Sequence, residues 1–277
     1  MSALTPEIMT GMPAGTKARP RADFRPNEFD QAITTKGYKM WWSRAGICPC
    51  LNNDVTEQAD PNCGLCEGRG KFYFLPDEAL VAGATQDGEG NSVRLNPEGN
   101  AVQIYVLMTS LTQDIQIFEK FGEWVFGTAR ATTQAPNRLG YGDRLIAVES
   151  EMVWSQIIEY AGGTTIPIVG ALKKTGLRYP FTGVHHFRSL STVYRAGVDY
   201  ALTSQGAIEW LSSRPASGTR LSIHGRVHPH WVVLEHVNTY RDTRVAGGTT
   251  ALSDQVHVQL PVQMMCKLDF LVTPGET

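Results

Sequence analysis

Between Val102 and Met108 the apolar residues fall at every second position. Val102, Ile104, Val106 and Met108 form one face, and Tyr105 with Leu107 make the other face apolar as well, which predicts a central strand. Strands are likewise expected at Trp124 to Thr132, Arg144 to Val148 and Met152 to Tyr160, with Gly140 to Asp143 as a turn. From Ser189 the spacing becomes regular: Ser191 to Tyr194, Val198 to Leu202, Ala207 to Leu211, Arg220 to His224 and Val227 to Glu235. Short strands at such intervals suggest a sandwich. Val256, Val258, Leu260, Val262 and Met264 alternate, Pro261 marks an edge or bend, and Cys266, Leu268, Phe270 and Val272 continue the pattern. A helical pattern appears once, where Asn27 is a candidate cap, Phe29, Ala32, Ile33 and Lys36 share a face, and Gly37 ends the run.

These patterns predict a mainly β chain in four parts. Residues 1–26 form an arm without apolar periodicity, and 27–75 a short helix plus a four-cysteine knuckle. Residues 76–188 form a small barrel-like β domain, and 189–277 a β-sandwich-like domain. A length of 277 residues supports such a core without disulfide staples. The 27 glycines and 15 prolines favour turns and strands over helices. A net charge of -2 does not suit a surface built to wrap nucleic acid. The first fifteen residues lack the basic start and apolar run of a secretory signal, and no apolar run approaches membrane-spanning length, so a cytosolic protein without a membrane anchor is expected.

Candidate chemistry concentrates in Cys48, Cys50, Cys63 and Cys66, two close pairs of soft ligands. Four thiolates at tetrahedral corners suit zinc, and four protein ligands leave no position open for water or substrate, so the role would be structural. Gly64, Gly68 and Gly70 let the backbone turn tightly and point N–H groups at sulfur, while Arg69 and Lys71 can balance the thiolate charge. The CxxCxGxG half is like the repeat of J-domain chaperones and other zinc ribbons. The Cys-Pro-Cys half is tighter than usual, which keeps an iron–sulfur centre or disulfides open as alternatives. Cys266, on an apolar strand face, reads as an inert buried thiol.

His224, His228 and His230 sit at alternate positions, where a solvated or interfacial strand face is a simpler reading than a second metal site. Asp143, Asp199 and Asp242 lie in turn contexts where carboxylates bond the local backbone. None of the common hydrolase, nucleotide-binding or metalloprotease motifs occurs, so no catalytic residues are assigned and no enzyme activity is expected. Trp41 and Trp42, beside Arg44, are expected to pack against the cysteine module, although they could stack on bases. Arg19, Arg21 and Arg25 give the arm positive charge.

The run MWWSRAGICPCLNNDVTEQADPNCGLCEGRGKFYF resembles N-terminal segments of neck and head-to-tail connector proteins of contractile-tailed bacteriophages. GEWVFGTARATTQAPNRLGYGDRL is similar to the Gly-x-Asp-Arg pattern of small phage connector barrels, and YRAGVDYALTSQGAIEWLSSRPASGTRLSIH to a β-module of tail and fibre proteins. The resemblance implies a structural virion protein, assembled in the host bacterial cytoplasm, that forms a closed ring of six or twelve copies. Its neighbours would be portal, connector and tail proteins, and DNA would pass through the lumen without sequence-specific binding. The alternative is a zinc-dependent nucleic-acid-binding module, motivated by the tryptophans and the basic arm.

Overall fold

In the computed structural model the described residues are 26–51, 59–60, 63–66, 68–76, 94–110, 127–169, 174–212, 214–236, 242–246, 255–259 and 261–272. The fold is mainly β and is built on a closed six-stranded barrel. Its strands are β1 (Tyr38–Ile47), β3 (Val102–Ser110), β4 (Thr128–Thr133), β15 (Val262–Leu268), β12 (His230–His236) and β5 (Arg144–Ala147), paired in that order, with β5 returning to β1. Every pairing is antiparallel. Closure satisfies the edge N–H and C=O groups that an open sheet would leave free.

The barrel interior follows the period of two. Met40 and Trp42 of β1, Val102, Ile104 and Val106 of β3, Ala131 of β4, Leu145 and Ala147 of β5, Val233 of β12, and Met264 and Cys266 of β15 form one buried cluster. Large and small residues sit side by side on neighbouring strands: Met40 pairs with Ala147, and Met108 with Ala131. Helix α1 (Pro26–Lys36) precedes β1 and buries Ile33. It starts at Pro26, one residue before the expected cap, with proline in the first turn where its missing N–H has no helical partner to lose. The Gly37 N–H closes the last turn on the Ile33 carbonyl at 2.8 Å.

A second unit is inserted between β5 and β12. It holds β6 (Met152–Glu159), β7 (Thr165–Ile166), β8 (Phe181–Arg188), β9 (Tyr200–Leu202), β10 (Ile208–Trp210) and β11 (Arg220–Val227). Two three-stranded sheets, β6-β11-β8 and β7-β10-β9, share one core that includes Ile158, Phe187, Trp210, Leu221 and Ile223. A sandwich-like arrangement is therefore present, but not over residues 189–277. The expected boundary at 188 cuts the β6-β11-β8 sheet, and the last strands complete the barrel. Strand pairing over long sequence separation, which no local pattern encodes, draws this division.

Other expectations shift in detail. Ser191 to Tyr194 forms no strand, although Val193 bridges to Arg188. β11 runs on through Val227, and the chain breaks at His228 and Pro229 before β12. β14 (Gln255–Gln259) pairs with β13 (Asp242–Ala246) and stops short of Pro261. Phe270 and Val272 lie in a terminal helical turn, α2 (Asp269–Val272), not in a strand. Trp124 and the two residues after it, and the arm up to residue 25, lie outside the described residues. Among the described residues no helix is long and apolar enough to cross a membrane.

The barrel and the inserted unit meet at a buried seam. Tyr179 meets Trp154 edge-on and packs against a tilted His230 ring, with centroids 5.2 and 4.6 Å apart, and Trp154 also meets Phe270 of α2. The Tyr179 hydroxyl accepts from Arg178 Nε and donates to Asp269 Oδ2, both at 3.1 Å. Arg178 Nη2 lies 3.6 Å from the same carboxylate oxygen. Burial, then the Asp269 charge, raises the Tyr179 pKa well above its usual value, so the hydroxyl keeps the proton it donates.

Candidate metal centre

β1 is long enough to serve two structures. Tyr38 to Trp42 pair with β3 in the barrel, while Arg44 to Ile47 pair with β2 (Lys71–Phe74). The Cys48 N–H donates to the Gly70 carbonyl at 2.9 Å, one rung beyond Ile47 and Lys71. The cysteines therefore sit at the end of a ladder whose other end is barrel wall. A tight turn, with the Leu51 N–H on the Cys48 carbonyl at 3.0 Å, carries Cys48 and Cys50. A second turn, with the Arg69 N–H on the Cys66 carbonyl at 3.0 Å, follows Cys63 and Cys66.

The sulfur atoms of Cys48, Cys50, Cys63 and Cys66 all lie within 4.8 Å of one another, so the structure brings together all four expected ligands. The closest approaches run between the pairs: Cys48 Sγ to Cys63 Sγ is 3.6 Å, and Cys50 Sγ to Cys66 Sγ is 3.3 Å. Four thiolates about 2.3 Å from one ion would stand about 3.8 Å apart. The observed set needs little adjustment to reach that arrangement. The thiols are free, and these separations are far beyond an S–S bond of about 2.05 Å. Cys48 and Cys66 are buried, while Cys50 and Cys63 are half-buried.

Backbone N–H groups point at sulfur, though they come from the turns rather than from the glycines. Cys63 accepts from Cys66 and Leu65, Cys48 from Cys50, and Cys50 from Asp60. The N–H groups of Cys66 and Leu65 hold the Cys63 thiol down to about 6. The neighbouring Cys66 thiol and then burial push Cys50 up to about 12. Cys48 is raised as well, since burial and its thiol neighbours outweigh the Cys50 N–H it accepts. Without an ion, a thiolate at Cys63 is favoured while Cys48 and Cys50 hold their protons. A divalent cation would let all four ionise, which is chemistry this donor set fits.

Gly70 has a positive φ of 72°, and a Cβ there would lie 2.7 Å from Leu51 Cδ1, so glycine is required where β2 leaves the knuckle. The knuckle is also tied to the barrel by charge on aromatic faces. Lys71 Nζ lies 4.0 Å from the Tyr141 ring centroid, and the Arg144 guanidinium 4.2 Å from that of Tyr73.

Sequence reasoning missed the polar anchor behind this ladder. Asp143, fully buried, accepts Trp42 Nε1 at 2.8 Å, Arg44 Nη1 at 3.0 Å and the Gly140 N–H at 2.7 Å on Oδ2, and the Ala45 N–H at 2.9 Å on Oδ1. The turn role expected of Asp143 is present, but the carboxylate also spans to β1. The signal available was its place in the Gly-Tyr-Gly-Asp turn, without any hint of which strand it would face. Trp42 packs inside the barrel rather than against the cysteines, and Trp41 is half-buried.

The remaining candidates disperse. His224 is exposed on β11, His228 Nδ1 lies 2.9 Å from the Ser150 carbonyl, and His230 is buried at the seam. Among the described residues the four cysteines are the one group of three or more such ligands with donor atoms close together. Asp199 accepts the Arg195 N–H and the Ser212 hydroxyl, as a turn carboxylate does. Asp242 opens β13 rather than lying in a turn, and its side chain is outside the described residues, as are Arg19, Arg21 and Arg25. Cys266 is buried on the barrel's inner face, and burial pushes its thiol up to about 12, as an inert core thiol requires. No family model matches the chain, and no curated protein matches it.

Proposed function

We propose that this chain is a structural, ring-forming virion protein of the neck of a tailed phage, joining portal to tail, with one zinc ion held by Cys48, Cys50, Cys63 and Cys66. The observation that carries the reading is the cysteine quartet itself: four thiols converge with no position left for a substrate, at the end of a ladder rooted in a closed barrel. Such a site stiffens and presents a surface rather than transforming a molecule. Its tip offers apolar contact, since Ile47 is 75% and Leu65 57% exposed beside the exposed Pro49. Zinc accounts for four thiolates at tetrahedral spacing without requiring redox chemistry.

Head-to-tail contacts between copies close a ring when their rotation permits, and the resemblance of the Cys-rich segment and the Gly-x-Asp-Arg turn to phage connectors supports that geometry. Of the residues that motivate the nucleic-acid-binding alternative, Trp42 is buried with its indole N–H on Asp143 and has no face to offer a base. The test is native mass spectrometry and electron microscopy of the purified chain, together with its zinc content. Rings with one zinc per chain are expected. A monomer that holds no zinc and binds DNA with an affinity falling steeply as salt rises would overturn the reading.

A further inference from the structure

The four sulfur atoms of the knuckle differ in their access to solvent. Cys48 and Cys66 are buried, at 1% and 2% exposure, while Cys50 and Cys63 are half-buried. Each close contact joins one of each kind: Cys48 Sγ stands 3.6 Å from Cys63 Sγ, and Cys50 Sγ 3.3 Å from Cys66 Sγ. An oxidant in solution can therefore reach one member of each pair, and the buried member already touches the sulfur that would react. The contacts also cross. Each joins the turn of Cys48 and Cys50 to the turn of Cys63 and Cys66, over sequence separations of 15 and 16 residues.

We infer that the knuckle is a redox switch, in which a peroxide converts the quartet to two crossed disulfides, Cys48–Cys63 and Cys50–Cys66, and expels any ion it holds. The inference rests on the zinc reading of this quartet and adds its regulation. In each pair the half-buried thiolate attacks the peroxide, so that an S–O bond forms, the O–O bond breaks and hydroxide leaves. The buried thiolate then attacks the resulting sulfenic acid. The S–S bond forms, the S–O bond breaks, and the second oxygen leaves with a proton as water. Each disulfide passes two electrons to one peroxide. Four thiolates thus consume two peroxides and four protons and yield two disulfides and four waters.

Reaching an S–S bond of about 2.05 Å requires each contact to close by about 1.5 Å or less, within the range of side-chain rotation. The turns themselves are held by backbone bonds, from the Cys48 N–H to the Gly70 carbonyl at 2.9 Å and from the Cys63 N–H to the Asp60 carbonyl at 3.0 Å. Crossed bonds tie together the same two turns that an ion would tie, so the oxidised knuckle stays joined at the end of the β1–β2 ladder. Bonds within the turns would leave them unlinked. An ion needs thiolates, so metal and cross-links exclude each other. Cys266, 0% exposed inside the barrel, is out of the oxidant's reach and serves as an internal control. On the proposed virion reading, release of a particle from a reducing cytoplasm into oxidising surroundings supplies the change that drives the switch.

The test treats the full-length protein, purified under reducing conditions, with hydrogen peroxide. Zinc release is followed with a chromogenic chelator, and thiols by alkylation in denaturant. The five reactive thiols should fall to one, Cys266, as one zinc per chain is released. A thiol reductant should restore the other four and the capacity to take up zinc. Non-reducing peptide maps should join the Cys48 and Cys50 peptide to that of Cys63 and Cys66. Two paired variants assign the connectivity: Cys50→Ser with Cys66→Ser should still form a disulfide, whereas Cys50→Ser with Cys63→Ser should not. Disulfides confined to single turns, sulfinic acids in place of disulfides, or equal oxidation of the two paired variants would overturn the inference. Zinc that stays bound while all five thiols remain reactive also overturns it, and leaves the zinc reading standing. Crossed disulfides in a protein that carries no zinc sink the zinc reading and support the switch.

Discussion

Asp143 offers the sharpest test of how the knuckle is held to the barrel. Its carboxylate takes four donors from two places: the Trp42 indole, the Arg44 guanidinium and the Ala45 N–H from β1 and the Gly140 N–H from its own turn. Asp143→Ala would leave the buried indole and at least one backbone N–H without an acceptor, at about 1–3 kcal/mol each. The Arg44 side chain, 19% exposed, would lose its counter-ion but could partly rehydrate. The sum is a destabilisation of about 3–5 kcal/mol, the range for breaking a buried pair from one side. Asp143→Asn is milder and more diagnostic. Three donors point at Oδ2, so the amide oxygen must take that place, turning the NH₂ group toward the Ala45 N–H. Urea denaturation at fixed protomer concentration measures the loss from the midpoint at constant slope. Hydrogen exchange should show the Ala45 amide deprotected in the Asn variant while Val106 keeps its protection. A loss below about 1 kcal/mol for Asp143→Ala would refute the reasoning, because it would mean that water already satisfies these donors.

If the knuckle holds a metal ion as proposed, a strong chelator should deprotect the Cys48 and Arg69 amides first, while barrel amides such as Val106 persist; uniform loss, or no loss, argues against a separately ordered knuckle. Lowering the pH protonates the thiolates that the proposed ion requires, so apparent metal affinity should fall with pH, measured by competition with a chromogenic chelator. Gly70→Ala forces a left-handed residue and crowds Leu51, with an expected cost of about 1–2 kcal/mol and weaker uptake of the proposed metal, read by thermal unfolding and metal content. His230 is held far below its usual pKa by burial, then by Arg144 and other nearby cations. The native state therefore refuses a proton that the unfolded state takes below about 6.5. Stability should be flat above that pH and fall by about 1.4 kcal/mol per pH unit below it, from this group alone. Urea midpoints across that range should flatten in His230→Gln.

What the sequence revealed follows the range of the interactions involved. β3 was legible because its alternation is local and strong, and the cysteine ligands because Cys63-Gly-Leu-Cys66 carries its own turn chemistry. β1 was not. Its YKMWWSRAGI has apolar residues on both faces, since the first half lines the barrel and the second half leaves it for β2. No single period describes a strand that changes neighbours midway. β8 was missed for a related reason: its bulges break the period of two.

Domain order was the least legible feature because closure of the barrel is a long-range event. β5 ends at Ala147 and its next barrel neighbour, β12, begins at His230, with a complete two-sheet unit between them. Each part has an ordinary strand pattern, so a linear reading assigns the later strands to a single sandwich. The seam shows why the insertion is not a tethered accessory. Asp269, directly after the last barrel strand, takes Arg178 and Tyr179 from the inserted unit, and Tyr179 packs against His230 at the start of β12. The inserted unit thus grips the two strands that complete the barrel beyond it. In a chain that loses this grip, by Asp269→Ala for example, the inserted core of Phe187, Trp210 and Leu221 keeps its contacts while the registry of β12 on β15 weakens. Stability of the barrel, and through β1 of the cysteine knuckle, is therefore expected to depend on this seam between the barrel and the inserted unit.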